Sequence, residues 1–227
     1  MKSFLRLSLT AIAVAFIFGS LSVPETKAQL QEILNRMDKN NQTLQSLRAN
    51  AIMVKYDSVL KESDTREGKT IYLPTKGREA FVRIDWTKPE ETLAVAKGKY
   101  IVYRPRLNQA ITGNVKDAKG SGKANGALAF MNMSKAQLKA NYAIKYLGAE
   151  TVSNGTETVR LELTPKTAAS YKMAEVWVDK DGMPIQMKVI ESNDDSTTIL
   201  LSNIQKNVTL NGSDFSVKVP PGTTFVK

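Results

Sequence analysis

There is no histidine and no cysteine among the 227 residues, and these two absences exclude a good deal of chemistry. Without histidine the chain lacks the usual general base near neutral pH, the usual activator of a serine or cysteine nucleophile, and the commonest nitrogen ligand for metals. A Ser-His-Asp triad, a Cys-His pair and an ordinary structural zinc site are all ruled out. Without cysteine there is no disulfide, so folding is independent of redox state. Acylation of a cysteine directly after a signal segment is excluded as well. Aromatic residues are few, at 7%, and the basic residues are spread along the chain rather than interleaved with rings, so no nucleic-acid platform is expected. The nearest approach to a phosphate-binding loop, KGSGKANG at 119–126, fails the G-x-x-x-x-G-K-[ST] pattern twice: Asp117 stands where the first glycine belongs, and Ala124 follows the lysine. The carboxylate groups Glu90/Glu91 and Glu191/Asp194/Asp195 fall in turn-like stretches rich in Ser, Asn and Thr, the setting of solvated turns rather than of a paired-carboxyl cleft. A carboxylate-dependent hydrolase is therefore the weakest of the readings weighed, and no catalytic residue, metal ligand or cofactor is assigned.

Only one long apolar run is present. MKSFLRLSLTAIAVAFIFGSLSVPETKAQ begins with Lys2 and Arg6, continues through an apolar stretch from Leu7 to Val23, and reaches Thr26-Lys27-Ala28. The small residues at −3 and −1 suit a signal peptidase, and the apolar run falls short of the roughly 20 residues a spanning helix requires. Residues 1–28 are expected to be a cleaved secretory signal, Gln29 the first mature residue, and the periplasm of a bacterial envelope the destination. Residues 29–227 suit a single domain, monomeric, with room for a sizeable core. Cleavage removes Lys2, Arg6, Lys27 and Glu25, which takes the formal charge from +10 to +8. Such a surface favours anionic partners or is simply well solvated.

In residues 30–47, Leu30, Ile33, Leu34, Met37, Leu44 and Leu47 recur mostly at steps of three and four, which predicts an amphipathic helix that Asn40-Asn41 weakens or kinks. Most of the remainder reads as strand. Short β-branched and aromatic runs occur at 51–60, 69–74, 80–86, 92–96, 99–105, 143–148, 158–164, 174–179, 184–191, 196–204, 207–210 and 215–219. Asp181-Gly182 and Asn193-Asp194-Asp195 lie between runs as hairpin turns do. Along these runs Val159, Leu161 and Leu163 oppose Arg160 and Glu162; Ile185, Met187 and Val189 oppose Gln186 and Lys188; Val176 and Val178 oppose Trp177. One greasy and one wet face per strand describes a sheet apolar inside and solvated outside. That many antiparallel strands curl rather than stay flat. The expected class is mainly β (α+β): an incomplete antiparallel barrel of about 10–11 strands.

GALAFMNMSKAQL (126–138) places Leu128, Phe130, Met131 and Met133 in six positions after a Gly- and Lys-rich loop. Ser134 and Gln137 match a capping box, so a helix should start at Lys135. This block is either an ordinary core helix or a cover over an apolar hollow. Methionine's unbranched, polarizable side chain conforms to partners of variable shape.

Several elements in order carry a family resemblance: a W-x-x-P turn (Trp86, Pro89), Y-x-P-x-x-x-Q (Tyr103, Pro105, Gln109), V-D-x-D-G-x-P (Val178 to Pro184) and a closing F-x-x-x-x-P-x-G (Phe215, Pro220, Gly222). Together with the signal and the first helix they resemble the LolA-type outer-membrane lipoprotein carrier proteins over nearly the whole mature chain. The resemblance implies an incomplete β-barrel with an α-helical lid over an apolar cavity. It implies a non-enzymatic carrier that takes acylated lipoproteins from an inner-membrane ABC transporter and passes them to an outer-membrane acceptor lipoprotein. Leu30, Ile33, Leu34, Met37, Leu128, Phe130, Met131, Met133, Val159, Leu161 and Met187 then become the expected lipid-binding residues. The arginine that latches the lid in that family has its nearest counterpart in Arg78, which here lacks the following proline. Two other readings remain: a lipid-sensing periplasmic regulator that binds an acidic signalling protein, and a carrier of some other amphipathic lipid.

Overall fold

The structure is a computed structural model and describes residues 25–75, 80–115 and 130–226. The expected signal segment up to residue 24, the latch candidate Arg78 and the lid candidate Leu128 lie outside the described residues. The first element is helix α1 (Glu25–Thr43). Next come β1 (Leu47–Asp57), β2 (Glu62–Leu73), β3 (Phe81–Thr87), β4 (Glu90–Ala96), β5 (Lys99–Arg104) and β6 (Gln109–Asn114). A one-turn 3-10 helix, Phe130–Asn132, and α2 (Lys135–Asn141) precede β7 (Tyr142–Thr151), β8 (Glu157–Pro165), β9 (Met173–Val178), β10 (Pro184–Ile190) and β11 (Ser196–Lys206). Further 3-10 turns lie between β5 and β6 (Pro105–Leu107) and after β11 (Gly212–Phe215), and β12 (Thr224–Val226) ends the series.

All twelve strands form one sheet in the order β12-β6-β5-β4-β3-β2-β1-β11-β10-β9-β8-β7. Neighbours are antiparallel except for β12, which lies parallel to β6. β12 and β7 are the two ends of that order, so the barrel is incomplete, as expected. Register fixes the inner face. One row runs Leu47, Tyr72, Val82, Val95, Tyr100, Gly113 across β1 to β6. Another runs Met53, Ile199, Met187, Val176, Leu161, Tyr146 across β1 and β11 to β7. The first row can close up at β6 only because Gly113 has no side chain: a Cβ there would lie 2.8 Å from the Tyr100 ring. Together with α1, α2 and the Phe130–Asn132 turn, these faces make one apolar core cluster.

Four expectations need correction. The first helix ends at Thr43 rather than running to 47, and Leu47 opens β1. Thr43 Oγ1 bonds back to the carbonyls of Lys39 and Asn40, at 3.0 and 3.2 Å, a geometry that loosens the last turn. The next backbone groups then go elsewhere: Gln45 N–H donates to Asn207 Oδ1 at 2.8 Å, and the Ser46 carbonyl accepts from Asn207 N–H at 2.8 Å. Strand β6 was not legible, because QAITGN carries too few β-branched residues to stand out. Residues 207–210 and 215–219 are not strands. Arg83 Nη1 takes the Asp214 and Ser216 carbonyls at 3.1 and 3.0 Å, groups that a ladder would have used. Finally, the outer face is not uniformly wet. Trp177 is buried there with the Arg160 guanidinium 5.0 Å above its ring, and Glu175 is buried beside them, 2.5 Å from Arg160 Nη2.

Candidate functional site

The inner face and the two helices that meet it form the candidate site. α1 places Ile33, Leu34 and Met37 against the sheet at 3%, 1% and 4% exposure, with Leu30 half-buried at the start of the stripe. The Phe130–Asn132 turn buries Phe130 and Met131, and Met133 packs against the same cluster. From the sheet, Leu161 and Met187 are fully buried and Val159 is partly so. The residues expected to bind lipid, where described, thus converge on one continuous apolar body.

α1 is seated on the sheet by close contact. At Gly182, in the β9–β10 turn, a Cβ would lie 2.2 Å from the Arg36 carbonyl. The residue also has φ +85°, a conformation that glycine adopts without penalty. Arg36 Nη1 donates to the Lys180 carbonyl at 2.9 Å, and Lys206 Nζ to Asn40 Oδ1 at 3.0 Å. The Asn40-Asn41 pair does not break the helix. It turns Asn40 towards Met183 Sδ (3.5 Å) and Asn41 towards the Met131 carbonyl (3.0 Å).

α2 is held differently. Its capping box is formed: Gln137 N–H donates to Ser134 Oγ at 3.2 Å, and Ser134 N–H to Gln137 Oε1 at 2.8 Å. Only Leu138 of its seven residues is buried. Its other ties run to α1, with Lys135 N–H donating to Asp38 Oδ1 (2.9 Å), Lys135 Nζ to Asn35 Oδ1 (2.6 Å) and Lys139 Nζ to Gln31 Oε1 (2.7 Å), and to Lys166, whose Nζ donates to the Lys139 carbonyl (2.6 Å) and whose N–H donates to the Asn141 carbonyl (2.9 Å). Below it, Phe130 meets Tyr142 at 5.9 Å between ring centroids, and the Tyr142 and Tyr171 hydroxyls are 2.7 Å apart. These polar ties on α1 and α2 were not found from the sequence, because Gln, Asn, Asp and Lys on a helix look the same whether they face water or a neighbouring helix.

The carboxylates singled out earlier have structural partners. Glu91 accepts from Arg104 Nε at 2.8 Å and pairs with Arg66 at 3.4 Å. Asp195 Oδ1 accepts from Ser58 N–H at 2.9 Å, and Asp194 pairs with Lys172. Among the described residues no group of three His, Cys, Asp or Glu could hold a metal ion. The centre of the inner wall is shut off from water, with Leu161, Val176, Met187, Ile199 and Leu201 all at 0% exposure, while Tyr100, Tyr146 and Val159 are partly exposed. Among the described residues, a cavity of about 650 Å³ is lined by Ala94, Tyr100, Ile101, Gly113 and Phe215 among others, and one of about 590 Å³ runs along residues 210–218.

The family model described as "Outer membrane lipoprotein carrier protein LolA" matches residues 77–218. Two solved structures share the fold at a TM-score above 0.5, and a third is similar at a lower score. An uncharacterized conserved protein from Thermus thermophilus is 13% identical with a TM-score of 0.53, covering 87% of this chain and 98% of its own. MucB is also 13% identical at a TM-score of 0.53, over 84% of this chain and 63% of its own. A LolA superfamily protein from Nitrosomonas europaea is 16% identical at a TM-score of 0.42, over 82% of this chain and 97% of its own. No curated protein matches.

Proposed function

Because the chain belongs to the LolA family of outer-membrane lipoprotein carrier proteins, we propose that it is an exported periplasmic carrier that shelters the acyl chains of lipoproteins. It would receive them from an inner-membrane ABC transporter and pass them to an outer-membrane acceptor lipoprotein. The observation that carries this reading is a continuous apolar inner wall under a cover whose smaller part, residues 130–141, buries Phe130, Met131 and Leu138 and is otherwise tied by polar contacts to α1 and Lys166.

The energetics explain why such a cover is needed. Each methylene exposed to water costs about 0.8 kcal/mol, so one chain of some sixteen carbons resists leaving a bilayer by roughly 12 kcal/mol. A carrier must offer comparable apolar surface without exposing it when empty. Opening the 130–141 cover breaks a few neutral or singly charged hydrogen bonds, each worth about 0.5–1.5 kcal/mol net or somewhat more where a charge is involved, and bares Phe130, Met131 and Leu138 at about 1.5–3 kcal/mol each, a cost that contact with an incoming acyl chain would offset. Transfer then needs no bond-making chemistry, only graded affinities along donor, carrier and acceptor. In this reading Leu30, Ile33, Leu34, Met37, Phe130, Met131, Met133, Val159, Leu161 and Met187 are the lining. The protein is a binding protein rather than an enzyme, and its signal segment is removed after Ala28.

Displacement of a fluorescent apolar probe by a diacylated lipopeptide tests the reading. Binding is expected in the wild type. It should be lost in Met131→Glu and Met133→Glu, with the β-sheet circular dichroism signal unchanged. If no acylated ligand competes, the carrier reading fails. If the variants unfold instead, residues 130–133 are core and not cover.

A further inference from the structure

Tyr72 sits in the middle of the inner row, flanked across the ladder by Leu47 and Val82. It is 1% exposed and belongs to the apolar cluster, yet its hydroxyl has no hydrogen-bond partner among the described residues. Both neighbours in the row are aliphatic, so nothing beside it on the wall can satisfy it. A buried hydroxyl without a partner is costly, and phenylalanine would line the same wall without that cost. Burial holds the phenol above its ordinary ionisation range, so at physiological pH it is a neutral O–H donor within the apolar cluster.

We propose that the Tyr72 hydroxyl is the polar anchor of the hollow and donates a hydrogen bond to the carbonyl oxygen of an acyl ester or amide on the guest. This rests on the carrier reading and sharpens it. The hollow would recognise acyl groups as such and not hydrocarbon in general, because the carbonyl is the polar atom that always accompanies an acyl chain. A neutral hydrogen bond made away from water corresponds to roughly three- to tenfold in affinity.

The test uses two soluble lipids that differ by one carbonyl: palmitoyl lysophosphatidylcholine and its hexadecyl ether counterpart. Each displaces a fluorescent apolar probe from the wild type and from Tyr72→Phe. The wild type should bind the ester about three- to tenfold more tightly than the ether. Tyr72→Phe should bind both equally, at the wild type's affinity for the ether, with an unchanged or higher melting temperature. Equal binding of the two lipids by the wild type overturns the proposal. So does an ester preference that survives in the variant, or a variant that melts lower, since a lower melting point means that the hydroxyl already has an internal partner. If neither lipid displaces the probe from the wild type, the carrier reading itself fails, a result distinct from binding without discrimination.

Discussion

The two helices over the inner face are both short amphipathic segments, yet they are fixed by different means. α1 has three residues at 4% exposure or less, a glycine turn pressed onto its backbone, and polar ties to β11 and the β9–β10 turn. α2 buries one side chain and is otherwise held by polar groups, to α1 along its length and to Lys166 at its C-terminal end. Packing contacts are lost together when a helix lifts, whereas solvent-accessible polar contacts are exchanged for water at small net cost. α1 is therefore part of the wall. The element that can lift at the smaller cost is α2, while the Phe130–Asn132 turn before it is anchored by the buried Phe130 and Met131.

The largest expected effect comes from attacking the seat of α1. Gly182→Ala puts a methyl group on the Arg36 backbone at a positive φ. It should cost about 3 kcal/mol or more in urea denaturation, through overpacking plus backbone strain. A loss below about 1 kcal/mol would mean that α1 is not rigidly seated, and the contrast with α2 would collapse. Next come the paired truncations. Leu34→Ala on α1 should lower global stability by about 2–5 kcal/mol. Leu138→Ala removes the one buried side chain of α2, and its effect should appear chiefly as lost amide-exchange protection over residues 130–141. Equal global losses from the two would make α2 wall as well. A smaller effect is expected of Asp38→Ala, which deprives the Lys135 amide of its acceptor. It should lower stability by about 1 kcal/mol while probe uptake becomes several-fold faster.

The smallest effect is the response to pH. Tyr72 is held above the ordinary phenol value of 10 by burial, and Tyr171 by burial and then by the Tyr142 hydroxyl. The unfolded chain loses these protons near pH 10 while the folded one keeps them. The folded state therefore binds more protons, and stability falls as pH rises above about 10. With no histidine, the melting temperature should be nearly flat between about pH 6 and 9. Tyr72→Phe or Tyr171→Phe should each flatten part of the alkaline fall.

Much of this was legible in residue order alone. Alternation in TVRLELT placed Val159, Leu161 and Leu163 on one face, and the structure keeps them there. Ser134 and Gln137 announced the start of α2 to the residue. Other features were hidden for identifiable reasons. Trp177 sits on the face expected to be wet because one stacked guanidinium can bury an indole, and alternation does not report what lies above a face. FSVKV looks like a strand, but its neighbouring carbonyls are claimed by Arg83 from far along the chain. Tyr72 lies in KTIYLP as an ordinary strand aromatic, and nothing local says that its hydroxyl is left without a partner.

The amino-acid order by itself determined which residues share the apolar face of most strands, the amphipathic stripe of the first helix and the start of the second, because each depends on side-chain period and on groups a few residues apart. Only the tertiary structure decided that α1 is seated and α2 merely tied. That difference comes from the close approach of Gly182 to Arg36 and from polar pairs about a hundred residues apart in sequence. Distances of this kind arise only when the sheet curls and brings its turns against the helix.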